Sequence, residues 1–457
     1  MFAKQNKKAV NFCVILKLEG FMISIITNPI IISVILLCVL CLCRVNVLLA
    51  LIITSVIGGL IGHISLSDVM NIFINGMGGN SETALSYILL GAFAASMTHT
   101  GLAPILSMKI ANVIQSKKYL LIFILTGIAI LSQNLIPVHI AFIPILIPPL
   151  LAIMNKLKID RRAVACGLAF GLKAPYIMIP AGFGLIFQGL IAENMIQNGM
   201  EVAKNDIWKS TWILGLGMFI GFLVAIFISY RKSREYQNLE VNIVKNNEDL
   251  HLNKNHYITL AAAVLTLIVQ LWTNSLPLGA LVGLSVIFGL KAIDHDKMDK
   301  LINEGVGLMG YVAFVMLIAA GFASVMKATG GIDSLVNTIT PYMMSSKIVA
   351  TALMLFVGLF ITMGIGTSFG TIPILAVLYV PICIKLGFSI PSTIIVIAAA
   401  AALGDAGSPA SDTTLGPTAG LDADGQHNHI WDTCVPTFLH YNIPLILMAL
   451  ISVMIFK

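Results

Sequence analysis

Two carboxylates seven residues apart, Asp405 and Asp412, stand in the stretch Ala402 to Thr418, ALGDAGSPASDTTLGPT. Around them lie Gly404, Gly407, Pro409 and Gly416 and the hydroxyls of Ser408, Ser411, Thr413 and Thr414, directly after the apolar run Ile394 to Leu403. Glycine and proline open a helix, so freed carbonyls, hydroxyls and carboxylates become oxygen ligands for a hard cation. A proton competes for the same carboxylates, and that competition alone exchanges a cation against protons. An ionisable group at membrane depth is costly and marks an ion or proton path. The expectation is half of a cation and substrate site, built on Asp405, Ser408, Ser411, Asp412 and Thr413. The competing reading is a surface loop in which Asp412 caps the following helix.

Two other apolar regions are broken by small polar residues. In 119–155 the break is Ser132-Gln133-Asn134-Leu135-Ile136-Pro137, and in 347–386 it is Gly364-Ile365-Gly366-Thr367-Ser368-Phe369-Gly370. Half-helix N-termini attract anions and C-termini attract cations. Asn134, Thr367 and Ser368 are therefore expected to complete the cation site, and Ser132, Gln133 and Thr371 to contact substrate. The alternative for each is capping or helix–helix hydrogen bonding. Lys173, in the break GLKAP, offers a built-in positive charge or a partner for a substrate carboxylate, unless it snorkels to the surface. His139 is a candidate proton relay or substrate contact; His99 and Lys327 read as interfacial. The run Gly425 to Asn442 holds His427, His429, Asp432, Cys434 and His440, but without a compact zinc spacing. No metal beyond Na+ is expected, and no cofactor beyond Na+ or H+ as coupling ions.

The elements that must position these residues are membrane helices. Of 457 residues 58% are hydrophobic and only 11% charged, with mean hydropathy +0.95, where a soluble protein carries about 25% charged residues. The net charge of +6 is scattered over short loops, which argues against nucleic-acid binding. Seven cysteines without paired spacing imply no disulfide or metal framework. Residues 1–26 have a basic head and a short apolar run but no small-residue cleavage site, and read as an N-terminal extension. Apolar segments fall near 27–43, 45–63, 82–99, 163–191, 210–229, 257–275, 276–291, 307–328, 390–404 and 433–456. In the broken regions each half is short for a full span, so 119–155 and 347–386 are expected to be re-entrant hairpins, the alternative being a pair of ordinary crossing helices with a tight turn.

A shift of 229 positions pairs Phe93 with Phe322, Thr100-Gly101 with Thr329-Gly330, and Ile143-Pro144-Ile145-Leu146 with Ile372-Pro373-Ile374-Leu375. It also sets the break at Gly171 to Pro180 (GLKAPYIMIP) opposite the stretch at Gly404. The predicted architecture is an all-α polytopic membrane protein of two repeats, 27–229 and 257–457, each about five transmembrane helices plus one hairpin. The polar run 230–256 joins them, and Arg231, Lys232 and Arg234 beside a membrane segment place it in the cytoplasm. Five crossings in the first repeat invert the second. Lys291, Lys297 and Lys300 fit that inversion, as does the absence of Lys or Arg in His63 to Glu82. The basic N-terminus and the absence of positive charge in Leu421 to His429 fit it poorly.

The stretch GDAGSPASDTTLGPTAGLDADGQHNHIWDTCVPTFLHYNIP resembles a signature of the bacterial Na+/H+ antiporter family, NhaC-like members of the ion transporter superfamily. One branch of these is described as histidine or amino-acid permeases. RVNVLLALIITSVIGGLIG and LSYILLGAFAASM are similar to the same branch, and the likeness covers most of 22–457. It implies inverted repeats, two re-entrant hairpins, a scaffold part, a mobile transport part and commonly a homodimer. It also implies that Asp405 to Thr414 forms a broken helix facing the tips Gln133-Asn134 and Thr367-Ser368. The Ser-Asn-Thr tip motif of the dicarboxylate branch is absent, which argues against a dicarboxylate substrate. The expected function is a secondary active transporter of the bacterial cytoplasmic membrane, working by alternating access, with Na+/H+ antiport as its activity. The alternative is a Na+- or H+-coupled amino-acid permease. Gly404-Asp405 is similar to the motif of membrane aspartyl proteases, but Ala402 stands where that motif has glycine and a second aspartate is missing. An enzyme is therefore not expected, and a passive channel is disfavoured by the repeat with broken helices.

Overall fold

A computed structural model describes residues 27–43, 45–101, 117–134, 143, 146–237, 253–273, 275–331, 334, 346–365, 367–409 and 411–456. These residues form 17 α-helices and no strand. The first four are α1 (Pro29–Leu42), α2 (Val47–Ile61), α3 (Leu66–Gly76) and α4 (Ser81–His99). Next come α5 (Lys118–Asn134), α6 (Leu151–Lys156), α7 (Arg161–Met178), α8 (Phe183–Gln197) and α9 (Ile207–Val224). Beyond the linker follow α10 (Lys254–Thr273), α11 (Leu276–Gly289) and α12 (Met298–Ala328). The chain ends with α13 (Lys347–Ile365), α14 (Ser368–Lys385), α15 (Ile390–Ala402), α16 (Asp412–Leu421) and α17 (Val435–Ile455).

Five described stretches are long and apolar enough to cross a bilayer: Lys204–Ser229, Lys254–Thr273, Met309–Ala328, Ser368–Lys385 and His429–Ile455. Helices α7 and α8 pass the same test as a pair bent by 46°. Two expectations need correction. The segment 163–191 is two helices, and the break expected within Gly171 to Pro180 lies at the end of that stretch, Ile179 to Gly182, because α7 accommodates Pro175 and runs on to Met178. The second limb of 347–386 is not short: α14 keeps Pro373 and Pro381 within 18 helical residues, as packed membrane helices tolerate.

Large apolar side chains such as Trp272, Ile228, Phe356 and Ile455 point outward, the surface a lipid solvent accepts. With lipid outside, helices associate by close packing of small residues. Thus a Cβ at Gly91 of α4 would lie 2.5 Å from the Gly305 carbonyl oxygen of α12, so the two backbones touch where the halves cross. Helix α7 packs on α5, α9 and α16, and α14 packs on α8, α12 and α15. At one end of the bundle the linker meets both halves, and His256 Nε2 lies 2.7 Å from the Thr100 carbonyl. At the opposite end Lys327 donates to the Gln197 carbonyl at 2.8 Å and Ser392 to that of Phe456 at 2.6 Å.

Candidate functional site

Between α15 and α16 the backbone leaves the helix. Gly404 and Gly407 hold φ of +81° and +102°, values that a side chain would strain. A Cβ at Gly404 would also fall 2.7 Å from the Leu359 carbonyl of α13. The two turns press Asp405 inward against α7 and the start of α14.

There Asp405 Oδ2 accepts three hydrogen bonds: from Lys173 Nζ at 2.7 Å, Ser368 Oγ at 2.6 Å and the Tyr176 hydroxyl at 3.2 Å. Oδ1 accepts a close bond from Ser411 Oγ. Ser411 Oγ caps α16 by accepting from the Thr413 N–H at 3.2 Å and stands 2.8 Å from Thr413 Oγ1. The Lys173 and Asp405 side chains are 1% and 6% exposed. The pair joins residues 232 apart, one from each half. A buried ion pair offsets its desolvation cost only when both partners stay bonded. Here the remaining oxygens are hydroxyls, which can rotate to accept from Lys173 or turn lone pairs toward a cation.

Of the residues singled out from the sequence, Asp405, Lys173, Ser368, Ser411 and Thr413 converge. Ser408 is buried in the turn, where its N–H lies 3.3 Å from the Asp405 carbonyl oxygen. Asp412 is exposed in a crevice with protein packed around it, and it has no hydrogen-bond partner among the described residues. Ser411, not Asp412, caps α16. Thr367 precedes α14, and its carbonyl takes up the Thr371 hydroxyl at 2.8 Å, so Thr371 turns to its own helix. Ser132 likewise donates to the Ala129 carbonyl at 2.9 Å. Gln133 is buried with Oε1 unpartnered among the described residues. The Asn134 side chain and His139 lie outside the described residues.

The residue that sequence reading missed is Tyr176. It stands three positions after Lys173, which places both on one face of α7. A search for polar neighbours of Lys173 at helical spacing finds it.

A second ion-paired region crosses the halves at the linker end. Arg161, fully buried, grips Asp424 with two bonds of 2.6 Å and donates to the Leu421 carbonyl at 2.8 Å and to Asn155 Oδ1 at 3.0 Å. Arg234 of the linker pairs with Asp432 at 2.7 Å. The missing positive charge of Leu421 to His429 is thus supplied by α7 and the linker. Burial would raise the Asp424 carboxyl, but the Arg161 bonds hold it below the usual carboxylate range. Burial, with help from Arg161 and Arg234, pushes His427 down to about 4. The histidines here serve hydrogen bonds, His427 to Thr433 at 2.7 Å and His429 to Thr418 at 2.8 Å.

Residues 167–451 match the model of the Na+/H+ antiporter family, and residues 28–114 match a second model of the same description. The chain belongs to the Na+/H+ antiporter family. An uncharacterized membrane protein of Vibrio parahaemolyticus is 46% identical over 94% of this chain and its own full length. YuiF of Bacillus subtilis, provisionally named an amino-acid transporter, is 46% identical over the same share of this chain and all of its own. Among solved structures, the antimetabolite efflux pump MtrF of Neisseria gonorrhoeae superposes with a TM-score of 0.56 at 16% identity. That likeness covers 86% of this chain and 85% of MtrF. The YdaH transporter of Alcanivorax borkumensis gives 0.58 at 14% identity, over 85% and 88%. These likenesses show a shared fold. This member of the antiporter family is a multi-pass membrane transporter.

Proposed function

We propose that the protein exchanges Na+ for protons across the bacterial cytoplasmic membrane, with the Lys173–Asp405 pair as the exchange site. The observation that supports this most directly is a buried ammonium–carboxylate pair surrounded by hydroxyls. A cation reaching Asp405 meets the oxygens of Ser368, Ser411 and Thr413 and displaces Lys173. Without its partner, the Lys173 ammonium gives up its proton to water. The site is neutral before (Lys–NH3+ with carboxylate) and after (Na+ with carboxylate, Lys–NH2). Both forms can therefore cross the low-dielectric middle of the protein without moving net charge through it. Alternating access would come from oppositely oriented halves whose broken helices, α7–α8 and α15–α16, converge on the pair.

A second reading has one observation in its favour. Asp405 and Lys173 are the complement of an amino-acid zwitterion, carboxylate for its ammonium and ammonium for its carboxylate, and the name of YuiF points the same way. Proteoliposomes separate the two. Na+-dependent dissipation of a pH gradient supports exchange, whereas gradient-driven uptake of labelled histidine supports the permease. Asp405→Asn is expected to abolish the exchange, and Lys173→Arg, which keeps the charge but holds its proton, to slow it by about 100-fold. An Asp405→Asn protein with unchanged rate and pH profile would sink the assignment.

A further inference from the structure

A cavity of about 50 Å³ opens at the end of the bundle opposite the linker, lined among others by Glu82, Ser86, Gln188, Glu193 and Lys204. Helices α4 and α8, which line it, also carry rings of an aromatic cluster: Tyr87 follows Ser86 on α4, and Phe187 precedes Gln188 on α8. Phe369 is the hub. Its ring centroid lies 5.1 Å from that of Tyr176, 5.9 Å from those of Phe183 and Phe187, and 6.0 Å from that of Tyr87. Tyr176 and Phe187 are 5.1 Å apart, and Tyr87 and Phe183 are 5.6 Å apart. All five are buried. The cluster draws on α4, α7, α8 and α14, so it closes the space between both halves.

Two of the five residues tie the rings to the ion pair. Tyr176 places its hydroxyl on Asp405 and its ring against Phe187 and Phe369. Phe369 follows Ser368, whose hydroxyl donates to Asp405 at 2.6 Å.

We infer that Tyr87, Tyr176, Phe183, Phe187 and Phe369 form the outer gate of the transport site, and that the bonds of Ser368 and Tyr176 to Asp405 hold it shut. The cavity beside Glu82 and Glu193 is then the mouth through which a cation arrives. When a cation draws the Ser368 and Tyr176 oxygens to itself, the two rings they position shift, and occupancy of the site is transmitted to the gate. This rests on the exchange-site reading for its purpose, while its test reads access alone.

The test places a single cysteine at the buried Ala406 beside Asp405 (Ala406→Cys), which leaves the Ser368 and Tyr176 bonds in place, in a chain whose seven native cysteines are replaced. Labelling is followed in intact cells with a membrane-impermeant cationic thiol reagent. With the gate intact, labelling from outside is expected to be slow. Phe187→Ala and Phe369→Ala should each raise its rate by about tenfold or more, because every ring removed breaks several ring contacts. Phe187→Leu, which keeps most of the volume and folds more readily, should give an intermediate rate. Unchanged labelling in folded, monodisperse Phe187→Leu and Phe369→Ala proteins overturns the gate, whether or not exchange persists. Raised labelling in the gate variants, with no Na+/H+ exchange by the chain that keeps its native Asp405, Lys173 and Ser368, upholds the gate and sinks the exchange reading alone.

Discussion

Among the described residues two buried ion pairs join the halves, and they are built differently. Arg161 and Asp424 meet through two parallel bonds, and Leu421 and Asn155 accept further hydrogens of the guanidinium. Tyr236 lies under the guanidinium at 4.3 Å. The planar fork of the guanidinium fits the carboxylate, and arginine as a residue type is not one that gives up its charge. Lys173 and Asp405 share a single oxygen, with hydroxyls on every other side. Lysine can lose its proton and hydroxyls can reorient, so this pair can open without stranding a charge. The comparison teaches that burial alone does not mark a transport site. On the exchange reading proposed above, what separates a fastening from an exchange site is whether the cation can be discharged.

Breaking each pair should therefore give opposite phenotypes. Asp424→Ala strands the Arg161 charge and is expected to cost about 3–5 kcal/mol of stability, seen as a large drop in the thermal midpoint of the purified protein. Exchange per folded molecule should stay within about twofold, since Asp424 is remote from the reacting groups. Asp405→Asn should show the reverse. If Asp424→Ala abolished exchange without destabilising, the two regions would not differ as argued.

A smaller effect sharpens the comparison through pH. His427 is buried beside Arg161 and Arg234, and its value of about 4 lies below the ordinary 6.5. A group that binds its proton less readily folded than unfolded stabilises the fold above 6.5, and that stability is lost as pH falls from 6.5 toward 4. The thermal midpoint is expected to fall over this interval, and His427→Gln should flatten the fall. Asp424 has the same sign in a lower window: its depressed value keeps Arg161 satisfied until the pH drops below the ordinary carboxylate range. The smallest effect is expected at the exposed linker pair, Lys158 with Glu235 at 2.6 Å, whose side chains are 55% and 78% exposed. Solvent and salt screen it, so Lys158→Ala should leave the thermal midpoint unmoved.

Much of the site was legible beforehand. Asp405 stood out because a carboxylate between glycines after an apolar run has no place in an uninterrupted helix, and Lys173 because it was the lone cation in an apolar segment. The first-half break, expected within Gly171 to Pro180, begins only at Ile179, because packed neighbours sustain α7 past Pro175 to Met178. Helix α14 is longer than the short limb expected, since it begins inside the Gly364 to Gly370 break and keeps Pro373 and Pro381 within it. Thr371 and Ser132 were grouped with the site by type, but each hydroxyl turns back to a carbonyl of its own helix.

By itself the sequence determined that the chain is a bundle of apolar helices and where its ionisable residues sit along them, because both follow from local composition. Only the tertiary structure decided which charge meets which. Residues 173 and 405, or 161 and 424, come together through the packing of helices that are equally apolar on many faces. Apolar periodicity does not encode that choice, and small-residue contacts such as Gly91 against Gly305 fix it at atomic range. The same packing placed Tyr176 and Phe369 against both the carboxylate and the rings, for their partners lie on other helices far away in the chain.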